Sequence, residues 1–78
     1  MTQSSSAEPR DVLVGELPIA LCQFLKFAGL AESGGAAKHL VAGGGVKLND
    51  QVETRKAKQL AAGDRVTVAG QTLVVRAG

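Results

Sequence analysis

Between Ser33 and Asn49 the chain changes its hydrophobic period, and three consecutive glycines mark the place. Before them, Ala37, Leu40 and Val41 recur at the spacing of one helix face. After them, Val46-Lys47-Leu48 alternates as a half-buried strand does. Ser33 is placed to cap the helix, because its hydroxyl can accept from backbone N–H groups two or three residues on. Gly43-Gly44-Gly45 lacks the lysine and serine or threonine that follow a nucleotide phosphate loop, and a helix stop leading into a strand accounts for it. A chain built on this unit must place a helix against a sheet.

The remaining segments extend that plan. Residues 1–10, with Ser4-Ser5-Ser6 and Glu8-Pro9, offer little to bury and are expected to form a flexible tail. Residues 11–14 suit a short strand ended by Gly15. From Pro18 to Ala28 the spacing of Leu21, Phe24, Leu25 and Ala28 predicts a helix, with Gly29 as its stop; Pro18 fits its first turn or the extended approach to it. Phe24 lies on the core stripe, and Phe27 points off it and packs at its edge. Gly34 and Gly35, in the first turn of the second helix, leave backbone N–H groups open to an anion and equally allow close packing of the first helix.

Beyond Leu48 the register has to be chosen. A three-residue loop, 49–51, sets Leu48 opposite Val52 and Lys47 opposite Glu53, so that opposed side chains share a face and Glu53 partly offsets Lys47. Arg55, Lys56 and Lys58 form the densest basic cluster, and Leu60 re-enters the core. A second hairpin about Gly70-Gln71 sets Val68 against Leu73 and Val66 against Val75. The expected fold is a small α+β domain, its two helices on one side of a curved, mainly antiparallel sheet.

Charge and composition narrow the function. Residues 1–32 carry a net −2 and residues 33–78 a net +4, an asymmetry that suits an anionic partner. The single cysteine, Cys22, rules out an internal disulfide and fits a reducing compartment, most simply the cytoplasm. No apolar run approaches the roughly 18 residues of a membrane span, and the start of the chain lacks a secretory pattern. His39, the one histidine, has no second ligand or nucleophile spaced to partner it and reads as a surface residue. No paired acid and base stands in a catalytic spacing, so neither an enzyme, a metal nor a cofactor is expected.

Several of these features together resemble the S4 RNA-binding domain, named after a small-subunit ribosomal protein. They are the glycine-ended helix of Leu25 to Leu30, Ser33 with Ala37, Lys38 and Leu40, the run Gly45-Val46-Lys47-Leu48-Asn49, and Gly63-Asp64-Arg65-Val66. The runs 32–38 and 53–56 look most like its stand-alone bacterial branch. The resemblance implies a two-helix αL motif on the sheet, a single RNA-binding domain over residues 11–78, and no catalysis. Carried onto matching positions, it implicates Lys38, Lys47, Asn49, Arg55, Lys56 and Lys58, with Ser33 and Gly34 as backbone contacts and Lys26 from the first helix. Many family members have arginine where this chain has Gly34, and glycine where it has Asp50.

The absence of Trp and Tyr, with both phenylalanines assigned to packing, leaves base stacking poorly supplied. Structured RNA, ribosomal or transfer, read through its phosphates is therefore the expected partner, on the ribosome or free of it, with a monomer and no membrane association. The other class open to such a chain is a protein-interaction adaptor docking on a ribosomal or RNA-modifying partner.

Overall fold

The computed structural model describes residues 9–78; of the expected tail over 1–10, residues 1–8 lie outside the described residues and Arg10 already belongs to the first strand, opposite Leu73. In chain order the elements are β1 (Arg10–Val14), β2 (Ile19–Ala20), α1 (Leu21–Phe27), α2 (Gly34–Ala42), β3 (Val46–Leu48), β4 (Gln51–Val52), β5 (Gln59–Leu60), β6 (Arg65–Val68) and β7 (Gln71–Ala77). Five strands make one sheet in the order β1-β7-β6-β3-β4, in which only the β1–β7 pair is parallel. Strands β2 and β5 pair separately and antiparallel. The α+β architecture is as the sequence predicts.

One buried cluster joins the two layers. Leu21, Phe24 and Leu25 of α1 and Ala37 and Val41 of α2 meet Val46 and Leu48, Val66 and Val68, and Leu73 and Val75 from alternate positions of β3, β6 and β7. Leu60 is fully buried among them. Phe27 departs from expectation: it is 59% exposed and does not pack at the edge of the core.

Both helices end the same way. Leu30 N donates to Leu25 O and Gly29 N to Lys26 O; Gly45 N donates to Leu40 O and Gly44 N to Val41 O. These are the paired bonds of a Schellman stop, and they place Gly44 at φ 80°, where a side chain would be strained. Gly45 sits in a tight place, since a Cβ there would lie 3.0 Å from Leu40 Cδ1 and 3.3 Å from Leu40 O. The triple glycine is thus a helix stop, and the strand begins at the next residue.

Helix α1 is shorter than the predicted span from Pro18 to Ala28. Ile19 and Ala20 are drawn into pairing with Leu60 and Gln59, so Pro18 lies in the approach and the helix starts at Leu21.

Both hairpin registers also differ from expectation. Asn49 (φ 51°) and Asp50 (φ 71°) form a two-residue turn, as do Ala69 (φ 52°) and Gly70 (φ 82°). Positive φ at both turn positions is the I′ geometry, whose twist matches that of paired strands. In the first hairpin Lys47 faces Val52 and Leu48 faces Gln51. This one-residue slip turns Val52 outward, 55% exposed, and is tolerated because β4 is two residues long and lies at the sheet edge. In the second, Val66 faces Leu73 and Val68 faces Gln71, a shift of two residues from the expected pairing. An even shift preserves the faces, so Leu73 and Val75 stay inward.

Candidate nucleic-acid interface

The basic loop is held by the start of helix α1. The first N–H groups of a helix have no partner within it, and Ala20 at the N-cap has no side-chain oxygen to supply one. Leu21 N donates instead to Lys58 O at 2.8 Å, and Cys22 N to Lys56 O at 3.1 Å. A further bond, Lys58 N to Arg55 O at 3.2 Å, closes a turn within the loop. The backbone of 55–58 is therefore fixed, while the side chains of Arg55 and Lys56 are exposed and that of Lys58 half-buried.

The other cations stand on neighbouring elements. Lys26 is exposed on α1, Lys38 on α2, and Lys47 on β3 between inward-facing Val46 and Leu48. Helices α1 and α2 pack against each other, so Lys26 and Lys38 belong to one layer. All five lysines of the chain are thereby accounted for. Among the described residues none of them pairs with a carboxylate; the two ion pairs are Arg55–Glu53 and Arg76–Asp11. Ser33 caps α2 as expected, its Oγ accepting from Ala36 N at 3.2 Å, and Gly34 opens the helix with its backbone exposed.

Glu53 does not offset Lys47. Its Oε2 accepts from Arg55 Nε at 3.0 Å and from Arg55 N at 3.1 Å. These two bonds, the side-chain one foremost, hold the Glu53 carboxyl below its ordinary value and raise that of Arg55. The slipped register explains the change of partner, because Val52 takes the place opposite Lys47 and Glu53 begins the loop. The Glu-x-Arg spacing was visible in the sequence, but its meaning depended on where β4 ends.

Asn49 is committed to the fold. Its Oδ1 accepts from Arg65 N at 3.0 Å, and its Nδ2 donates to Asp64 Oδ1 at 3.3 Å. Asp64 Oδ2 in turn accepts from Ala61 N at 2.9 Å, and Asn49 N donates to Arg65 O at 2.7 Å. The Asn49–Asp50 turn is thus clamped to the Gly63-Asp64-Arg65 turn. Asp64 is the residue that sequence reasoning missed here; its place in a glycine–aspartate turn was the available signal.

The family model for the S4 domain matches residues 12–76. The chain belongs to the S4 domain family. In Escherichia coli (strain K12), the protein named "Putative RNA-binding protein YbcJ" is 44% identical over 57 residues, covering 73% of this chain and 81% of that protein. In Bacillus subtilis (strain 168), the protein named "Probable ribosome maturation protein RlbA" is 40% identical over 52 residues, covering 67% and 73%. The solution structure of E. coli YbcJ, described as revealing an αL motif involved in RNA binding, superposes with a TM-score of 0.65 at 37% identity over 99% of this chain and 96% of that one. The two-helix αL arrangement expected from the sequence is therefore that of this S4 domain.

Among the described residues no helix is long and apolar enough to cross a membrane, and no three metal-ligating side chains gather.

Proposed function

We propose that this S4 domain binds structured RNA, ribosomal or transfer, by phosphate contacts and without catalysing a reaction. The observation that carries this reading is the set of five lysines, free of carboxylate partners among the described residues, on elements whose backbones are fixed. Lys56 and Lys58, on the loop tied to α1, with Arg55 beside them, supply most of the attraction. Lys26, Lys38 and Lys47 extend it over the helices and β3, and the backbone N–H of Gly34 behind the Ser33 cap offers a further anion contact. Asn49 acts by positioning the β3–β4 turn, since both ends of its amide are already bonded. The names given to the relatives, RNA-binding for YbcJ and ribosome maturation for RlbA, support an RNA partner on or near the ribosome.

In this reading residues 11–78 act as one RNA-binding unit, a monomer working in the cytoplasm. Fixed lysines favour recognition by shape over base sequence. The test is reversal of Arg55, Lys56 and Lys58 to glutamate. Loss of RNA retention in pull-downs, with protein partners still held after nuclease treatment, supports the proposal. Retained RNA binding moves the site elsewhere, and a partner lost together with those charges but unaffected by nuclease favours the protein adaptor.

A further inference from the structure

Among the described residues three large hydrophobic side chains are exposed, Leu13, Phe27 and Val52, and Phe27 is the aromatic one. Its ring is 59% exposed in a domain whose other phenylalanine is fully buried. It closes a hollow of about 320 Å³ whose other walls are Ile19, Gln23 and Lys26. On a helix, Gln23 and Phe27 stand four residues apart and Gln23 and Lys26 three apart, so all three share one face of α1. The hollow therefore joins an aromatic plane, an amide that can both donate and accept, and an ammonium.

The position of this hollow links it to the basic loop. Ile19, one of its walls, pairs with Leu60, and the next pair, Ala20 with Gln59, adjoins Lys58. Phe27 is six residues along α1 from Leu21, where the loop carbonyls dock, or about 9 Å along the helix axis. A strand of RNA that touches the loop needs only a step or two of its backbone to reach the ring. An adjoining hollow of about 410 Å³ shares Ile19, Gln23 and Phe27 with the first and adds Glu16, whose carboxylate repels a phosphate there and leaves the Lys26 end for the sugar–phosphate chain.

We infer that the Gln23–Lys26–Phe27 face of α1 receives one unpaired nucleotide of the bound RNA, its base stacked on Phe27. This rests on the RNA reading above and names the feature recognised: a helix interrupted by an unpaired base. Phe27 supplies the stacking surface, Gln23 meets the polar edge of the base, and Lys26 takes the adjacent phosphate. Stacking of this kind tolerates every base, so the site selects an unpaired nucleotide without choosing its identity.

The test compares two RNA hairpins that differ by one bulged nucleotide, against the wild-type protein, Phe27→Leu and Phe27→Trp, with folding of each variant checked by thermal melting. The wild type is expected to prefer the bulged hairpin by about 5- to 150-fold, the range of one stacked base. Phe27→Leu should lose that preference while binding the paired hairpin as before. Phe27→Trp should keep the preference and show indole quenching with the bulged hairpin alone. Equal wild-type affinity for both hairpins overturns the inference and leaves the RNA reading standing. So does a preference that survives in Phe27→Leu. Binding of neither hairpin overturns both.

Discussion

Two short connections of this domain, three residues apart in the chain, use their polar groups in opposite ways. In the Asn49–Asp50 turn the exposed Asn49 side chain does the structural bonding, its amide bonded at both ends to Asp64 and Arg65. In the loop from Thr54 to Lys58 the backbone makes the tether, through Lys56 O and Lys58 O to the start of α1, while the Lys56 side chain is exposed, Lys58 half-buried, and Arg55 exposed and paired with Glu53. Residue type marked both connections as candidate RNA contacts. Where each residue makes its hydrogen bonds separates a positioning residue from one available to a ligand.

The largest test of that separation is the triple reversal of Arg55, Lys56 and Lys58 to glutamate. RNA affinity at low salt should fall by at least about 100-fold, as expected when several phosphate contacts become repulsive. The circular dichroism spectrum should be unchanged, because the capping carbonyls remain. Asn49→Ala should show the reverse pattern. Chemical denaturation should register a loss of about 0.5–1.5 kcal/mol from the hydrogen bonds to Arg65 N–H and Asp64, with RNA affinity nearly unaffected under conditions where the variant is folded.

A smaller effect compares the two I′ turns. Asp50 and Ala69 both carry a side chain at positive φ, so Asp50→Gly and Ala69→Gly should each stabilise the fold by about 0.5–1 kcal/mol in thermal melts. Only Asp50→Gly also removes a negative charge beside Lys47's strand, and only it should raise RNA affinity at low salt. An equal rise in both would remove the β3–β4 turn from the RNA face.

The smallest effect concerns Glu53. Its folded value lies below the ordinary 4.5, so its bond to Arg55 is complete above that pH and is lost only as the pH falls through the lower folded value. The Arg55 Nε–H resonance should follow that titration, with a midpoint below 4.5. A midpoint at or above it would mean that the pair does not form in solution.

Much of this architecture was legible from residue types and spacing. The Ser33 cap, the glycine stops, the alternation of Val46-Lys47-Leu48 and the burial of Leu60 follow from local rules, and the structure has each of them. The registers were not legible, because a two-residue turn with Asn49 and Asp50 at positive φ competes with a longer loop by a margin that side-chain pairing alone does not decide. From that one-residue slip follow the outward Val52 and the Glu53–Arg55 pair in place of Glu53 beside Lys47. The start of α1 was misjudged for another reason: Ile19-Ala20 finds its strand partner forty residues away, and no local period signals that. The position of Phe27 off the core stripe is legible, but not that its ring stays at the surface and does not fold back onto the edge of the core. For the candidate site the lysines were readable as charges, but the backbone bonds that fix their loop were not.

The central claim is that fixed lysines, chiefly on the α1-tethered loop, bind RNA through its phosphates. Fluorescence titration of a folded RNA hairpin at several salt concentrations tests it most directly. Five neutralised phosphates predict a log–log slope of about −3.5 to −4.5 for the wild type, shallower by about 1.4–1.8 in the Lys56→Ala, Lys58→Ala double variant. A slope near zero, or the same slope in both proteins, would contradict it.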